Sequence, residues 1–156
     1  MNNTKKKKEK YPPGTFVPYN HYFPESIEQE TRKVVLAQDM FELPAGLYLL
    51  IESYCHDIKC DCRKVMINVI AQGDIPDFSN TIGFGWESAK FYSKWIGDEK
   101  AGSQMVGAYL EPGRVNSDRS QKYLDLVKNS LRDPYYVELI KRHYQSFKNL
   151  LKTDKR

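Results

Sequence analysis

Apolar residues recur along the chain in two periods. Alternation by twos marks three strands. Residues 47–54 are rich in aliphatic and aromatic side chains and bounded by Pro44 and Gly46. Residues 63–71 alternate, with Val65, Ile67 and Val69 on one face and Lys64, Met66 and Asn68 on the other. Residues 81–86 place Ile82, Phe84 and Trp86 together, and Gly83 and Gly85 leave the opposite face bare for something to pack close. A short fourth strand is predicted at 104–110, stopped by Pro112-Gly113.

The helical period marks four further segments. Residues 25–38 read as a helix with acids in its first turn, although Val34-Val35 also allows a strand. Residues 87–96 put Phe91, Trp95 and Ile96 at core spacing, and Gly97 ends them. A helix capped by Ser117 or Asp118 runs to about 131, with Tyr123, Leu124, Val127 and Leu131 inward. Asp133-Pro134 opens the last helix, whose inward stripe is Tyr136, Ile140, Phe147 and Leu150. Strands and helices are largely segregated along the chain. The predicted fold is therefore α+β: a small, mostly antiparallel sheet of three or four strands, with one long-loop hairpin, packed by C-terminal helices.

The 156 residues suit one domain, with 40% apolar residues for a core. Residues 1–10 are expected to be a disordered basic tail and residues 11–156 a single domain. Within it, residues 11–24 hold four prolines among five aromatics, which predicts an irregular, extended arm lying on the domain. The formal charge of +4 is unevenly spread: residues 1–10 carry +4, residues 135–156 carry +4, and residues 11–134 carry −4. Basic ends on an acidic body favour a protein partner over a nucleic acid, whose binders gather cations on a folded patch. The longest apolar run, residues 47–51, is far too short to span a bilayer. The lysines near the start are followed by no apolar stretch of the secretory kind. Together with an odd cysteine count, this predicts a cytoplasmic protein.

All three cysteines fall within eight residues, as Cys55-His56-Asp57-Ile58-Lys59-Cys60-Asp61-Cys62. Thiolates are soft ligands suited to zinc, and a structural zinc site takes four nitrogen or sulfur donors in a tetrahedron. Zn–S bonds of ~2.3 Å put sulfurs roughly 3.8 Å apart. Residues two apart on an extended strand are about 6.5 Å apart. Cys60 and Cys62 can share an ion only where the chain bends, and the turn of the hairpin supplies a bend. Asp57, Lys59 and Asp61 make the segment too polar for plain buried cysteines. A redox pair or labile disulfide is the alternative to a metal.

A fourth ligand is then required. His143 falls on the inward stripe of the last helix, where it is either a satisfied core histidine or the residue that closes a Cys55, Cys60, Cys62, His143 site. His56 is the alternative fourth ligand, although neighbours on an extended chain diverge. Arg63, Asp57 and Asp61 surround the ligands, and Arg63 is placed to donate to a thiolate or to pair with Asp61. The run Tyr54-Cys55-His56-Asp57-Ile58-Lys59-Cys60-Asp61-Cys62-Arg63 resembles a Tyr-Cys-x-Asp-x-x-Cys-Asp-Cys-Arg signature of uncharacterised prokaryotic proteins. The resemblance covers about a dozen residues and implies a shared fold and a metal site, with no activity attached.

Other motifs are lacking. Neither His-Glu-x-x-His nor the deaminase pattern occurs. Gly83-Phe84-Gly85 lacks the rest of a phosphate loop. Asp74 and Asp77 read as solvated loop acids. The function expected is a binding module built round one structural zinc. The alternative is an enzyme using the same loop, as a metal-dependent hydrolase or a thiol redox protein.

Overall fold

A computed structural model describes residues 11–12, 14–74, 80–112 and 117–153. The basic tail and Asp77 lie outside the described residues. In chain order the elements are β1 (Phe16–Pro18), α1 (Tyr19–Tyr22), α2 (Ser26–Glu30), β2 (Arg32–Leu36), β3 (Gly46–Cys55), β4 (Lys64–Ala71), β5 (Thr81–Gly85), α3 (Ala89–Ile96), α4 (Glu99–Ser103), β6 (Gly107–Leu110), α5 (Ser120–Ser130) and α6 (Pro134–Thr153).

Among the described residues the fold is α+β, with one antiparallel sheet of six strands rather than three or four. Its order is β1-β3-β4-β5-β6, and β2 also lies on β3. The two extra strands share the outer side of β3. There β1 pairs with residues 53–55 and β2 with residues 46–50. Both come from segments predicted otherwise. The helix predicted over residues 25–38 is only the five-residue α2, and the chain then turns into β2. The β-branched Val34 and Val35 fit a pleated edge better than a helix, and a ladder with β3 satisfies their backbone. The proline-rich arm is not irregular throughout: Phe16–Pro18 pairs with β3, and Tyr19 is buried.

The long-loop hairpin is β3–β4, in register from Tyr48↔Ala71 to Ser53↔Met66. On β3, Tyr48, Leu50, Glu52 and Tyr54 alternate into the core. The face they share meets the C-terminal helices: the Tyr48 ring lies against Tyr123 of α5, and the Tyr54 hydroxyl reaches the Ile140 carbonyl of α6. Leu50, Val65, Ile67, Ile82, Leu126, Val127, Ile140 and Phe147 fill one continuous core. Full burial of each such side chain contributes about 1.5–3 kcal/mol.

The other face of β4 is buried as well. Lys64 meets Glu111 at 3.2 Å, and Asn68 Nδ2 donates to Thr81 Oγ1 at 3.1 Å. The bare face of β5 is filled as its glycines predict. A Cβ on Gly83 would stand 2.4 Å from the Tyr109 ring, and one on Gly85 would strike the Met105 carbonyl oxygen at 2.2 Å.

Ser88 Oγ caps α3 by accepting from the Phe91 amide, and Gly97 closes it in the left-handed region. The buried residue of α3 is Tyr92; Trp95 and Ile96, predicted inward, are exposed. The helix is short and packs against α4. On α6 the predicted stripe holds for Tyr136, Ile140, His143 and Phe147, Leu150 is half-buried, and the buried face extends to Tyr144 and Lys148.

Candidate metal centre

The cysteine loop spans the end of β3 and the start of β4, and contacts from three directions fix its shape. The His56 amide donates to the Thr15 carbonyl at 2.8 Å, which ties the loop to the arm. Asp57 makes a tight local turn: its Oδ1 accepts from the Lys59 amide at 2.9 Å, and its carbonyl accepts from the Cys60 amide at 3.1 Å. From α6, the buried Lys148 Nζ donates to the carbonyls of Cys55 and Asp57, each at 2.9 Å.

The exit from the loop is bent at Arg63, whose φ of +48° lies in the left-handed region that non-glycine residues rarely enter. Two tyrosines hold that residue. The Tyr144 hydroxyl accepts from the Arg63 amide at 3.2 Å and donates to Asp61 Oδ1 at 2.9 Å. The Tyr92 hydroxyl donates to the Arg63 carbonyl at 2.6 Å. Such strain persists only where the surroundings over-determine it. Here it turns the chain out of the cysteine loop and into β4.

The three sulfurs lie within 4.8 Å of one another and could hold a metal ion. A zinc tetrahedron needs roughly 3.8 Å between sulfurs, so closing on an ion requires only ~1 Å of inward movement. All three cysteines are free thiols. Cys55 and Cys62 are buried, and Cys60 is half-buried. Cys55 is driven toward the thiolate because the thiols of Cys60 and then Cys62 donate to it, against its burial. The Asp57 amide and the Lys148 charge reinforce the shift. Cys60 and Cys62 are pushed up, in each case first by sharing their proton with Cys55.

The remaining predicted residues fall as follows. Arg63 pairs with Asp61, Nη2 to Oδ2 at 2.9 Å, and its guanidinium lies over the Phe91 ring. Asp57 shapes the turn. His56 points its Nε2 at the Tyr22 hydroxyl, 2.6 Å away, with its ring against Tyr11. It does not join the sulfur group.

His143 is buried on the inward stripe as expected, but the structure places it away from the cysteine group. Its Nδ1 bonds Glu52 Oε1 at 2.8 Å and its Nε2 bonds Glu30 Oε2 at 3.0 Å. The Tyr19 ring stacks on it at 4.0 Å, and the Tyr54 hydroxyl donates to the same Glu52 oxygen. Beside it is a cavity of about 20 Å³, room for about one water. Both partners are acceptors, so both ring nitrogens carry protons when both bonds are made. Burial by itself would lower the His143 pKa. The bond to Glu52 and its charge, followed by those of Glu30, outweigh burial and raise it.

Comparison with known proteins found no matching family model, no matching curated protein and no matching solved structure. Among the described residues, no helix is long and apolar enough to cross a membrane.

Sequence reasoning missed Glu52, Glu30, Tyr144 and Lys148. The signal for Glu52 was present. It occupies the inward phase of a strand between Leu50 and Tyr54, where a carboxylate requires a partner. Tyr144 and Lys148 follow the inward Ile140 by four and eight residues.

Proposed function

We propose that this chain is a zinc-binding protein whose Cys55, Cys60 and Cys62 hold one ion, and that the ion fixes the shape of the β3–β4 loop. The observation that carries the reading is the gathering of three soft donors within 4.8 Å on a bend held from both sides. The S–H groups of Cys60 and Cys62 are weak donors, even toward the Cys55 sulfur they share. A zinc ion would replace those weak contacts with bonds and give a polar loop a reason to be ordered. The likeness of residues 54–63 to the prokaryotic signature adds support. The net −4 of residues 11–134 favours a protein partner for the assembled surface over a nucleic acid.

A second reading, thiol redox chemistry, draws on the same closeness, since Cys55 is favoured as thiolate beside two thiols. Titration of the reduced protein with zinc against a chromophoric chelator separates the two. The zinc reading expects one tight equivalent that Cys60→Ser weakens by orders of magnitude. The redox reading expects weak zinc binding and a disulfide that forms readily under mild oxidation.

A further inference from the structure

Every cysteine and histidine of the chain lies among the described residues, so the supply of strong zinc donors can be followed to its end. Three cysteines meet. His143 has both ring nitrogens bonded to carboxylates. His56 is turned to Tyr22, and His21 lies on α1 against the Tyr22 ring. Among the described residues no carboxylate oxygen joins the three sulfurs: Asp57 Oδ1 holds the Lys59 amide, and Asp61 holds Tyr144 with one oxygen and Arg63 with the other. Cys60, unlike the two buried cysteines, is half-buried, so the ion's free side would face solvent at Cys60.

Resting on the zinc reading above, we infer that the site is open, with three protein thiolates and a fourth position for a neutral ligand from outside the chain. Charge decides the ligand's class. Three thiolates and one divalent ion sum to −1. The ammonium of Lys148, bonded to the Cys55 and Asp57 carbonyls, brings +1 into the same loop. A neutral donor keeps the loop balanced. An anionic donor leaves an unmatched charge in a half-buried place, which is costly. Water fills the position at rest, and a neutral nitrogen donor of the imidazole type displaces it. Three protein ligands plus an exchangeable fourth is the arrangement of zinc sites that act on a ligand, whereas purely structural sites are closed.

The test uses the full chain loaded with zinc, and in parallel with cobalt(II). X-ray absorption at the zinc edge is expected to give three sulfur scatterers near ~2.3 Å and one nitrogen or oxygen near ~2.0–2.1 Å. The visible spectrum of the cobalt form is expected to shift on adding imidazole, and far less on adding azide. His56→Gln and His21→Gln are expected to leave the shell and the shift unchanged. Four sulfur scatterers, a shell altered by either substitution, a spectrum unmoved by imidazole, or azide displacing as well as imidazole would each overturn the open site while leaving zinc binding intact. Failure to retain zinc or cobalt at all would overturn the zinc reading, and the open site with it.

Discussion

Two polar clusters lie within a few residues of each other on β3, and they are solved in opposite ways. Glu52 is enclosed by the protein itself: His143 and Tyr54 both bond its Oε1, and Glu30 closes the far side of the imidazole. Cys55, three residues on, faces two other thiols, and the groups around it bind the backbone rather than complete a sulfur shell. The first cluster needs nothing from outside. The second is shaped, strained at Arg63 and clamped by Lys148, yet its own donors satisfy one another poorly. A buried polar group that is satisfied internally is a device of the fold. One that is gathered but left weakly bonded marks where an external ligand belongs.

That contrast can be broken most severely at the sulfurs. Cys62→Ala should cost about 5 kcal/mol or more of stability in zinc-loaded protein, because binding energy is folding energy at such a site. With a strong chelator present the loss should shrink to the roughly 1 kcal/mol of packing that the buried Cys62 side chain supplies. Calorimetry with and without chelator reads both. Glu52→Ala should behave in the opposite way. It should lose about 2–3 kcal/mol, because the buried His143 keeps Glu30 but loses the acceptor of its Nδ1, with the same loss in chelator. Replacing Glu52 and His143 together by leucine should recover most of that loss, as urea unfolding would show, since apolar substitutes for a buried pair are often neutral.

Lys148→Met links the two clusters through α6. Removing two charge-assisted bonds should cost about 2–3 kcal/mol, and zinc affinity should fall roughly 10-fold or more as the loop's compensating charge is lost. Chelator competition on the variant measures the second effect.

The smallest effect is that of pH. The folded His143 pKa is raised above its ordinary value of about 6.5, so its contribution is fully present below about pH 6.5 and is lost as pH rises through the raised value. The stability difference between wild type and His143→Gln, measured by denaturant unfolding, should shrink from about pH 6 to about pH 9. A difference that widens would show that Glu52 and Glu30 do not favour the protonated ring.

The same contrast explains what could be read in advance. The cysteine cluster is legible because its donors are close in sequence. The hairpin carrying it is legible because β3 and β4 alternate strongly around a polar insert. The Glu52–His143–Glu30 cluster draws on β3, α6 and α2, separated by 91 and 113 residues, and no local pattern links those positions. The helical stripe correctly placed His143 inward. Its partner was missed because Glu52 was counted as part of an apolar strand rather than as an anomaly in it. Strands β1 and β2 were missed for a different reason. Pro18 and its neighbouring prolines hide β1, whereas at β2 Val34-Val35 allows a strand but the acids before it favour a helix, and the long open edge of β3 decides both. Trp95 and Ile96 show the reverse failure, since helical spacing cannot reveal how much of a short helix the sheet covers.

Whether the cysteine loop holds a metal ion is read by inductively coupled plasma mass spectrometry on untagged protein purified without chelator, beside a Cys60→Ser control. About one zinc per chain is expected in the wild type and little in the control. Metal-free protein with three titratable thiols, folded and unchanged by added zinc, would contradict it.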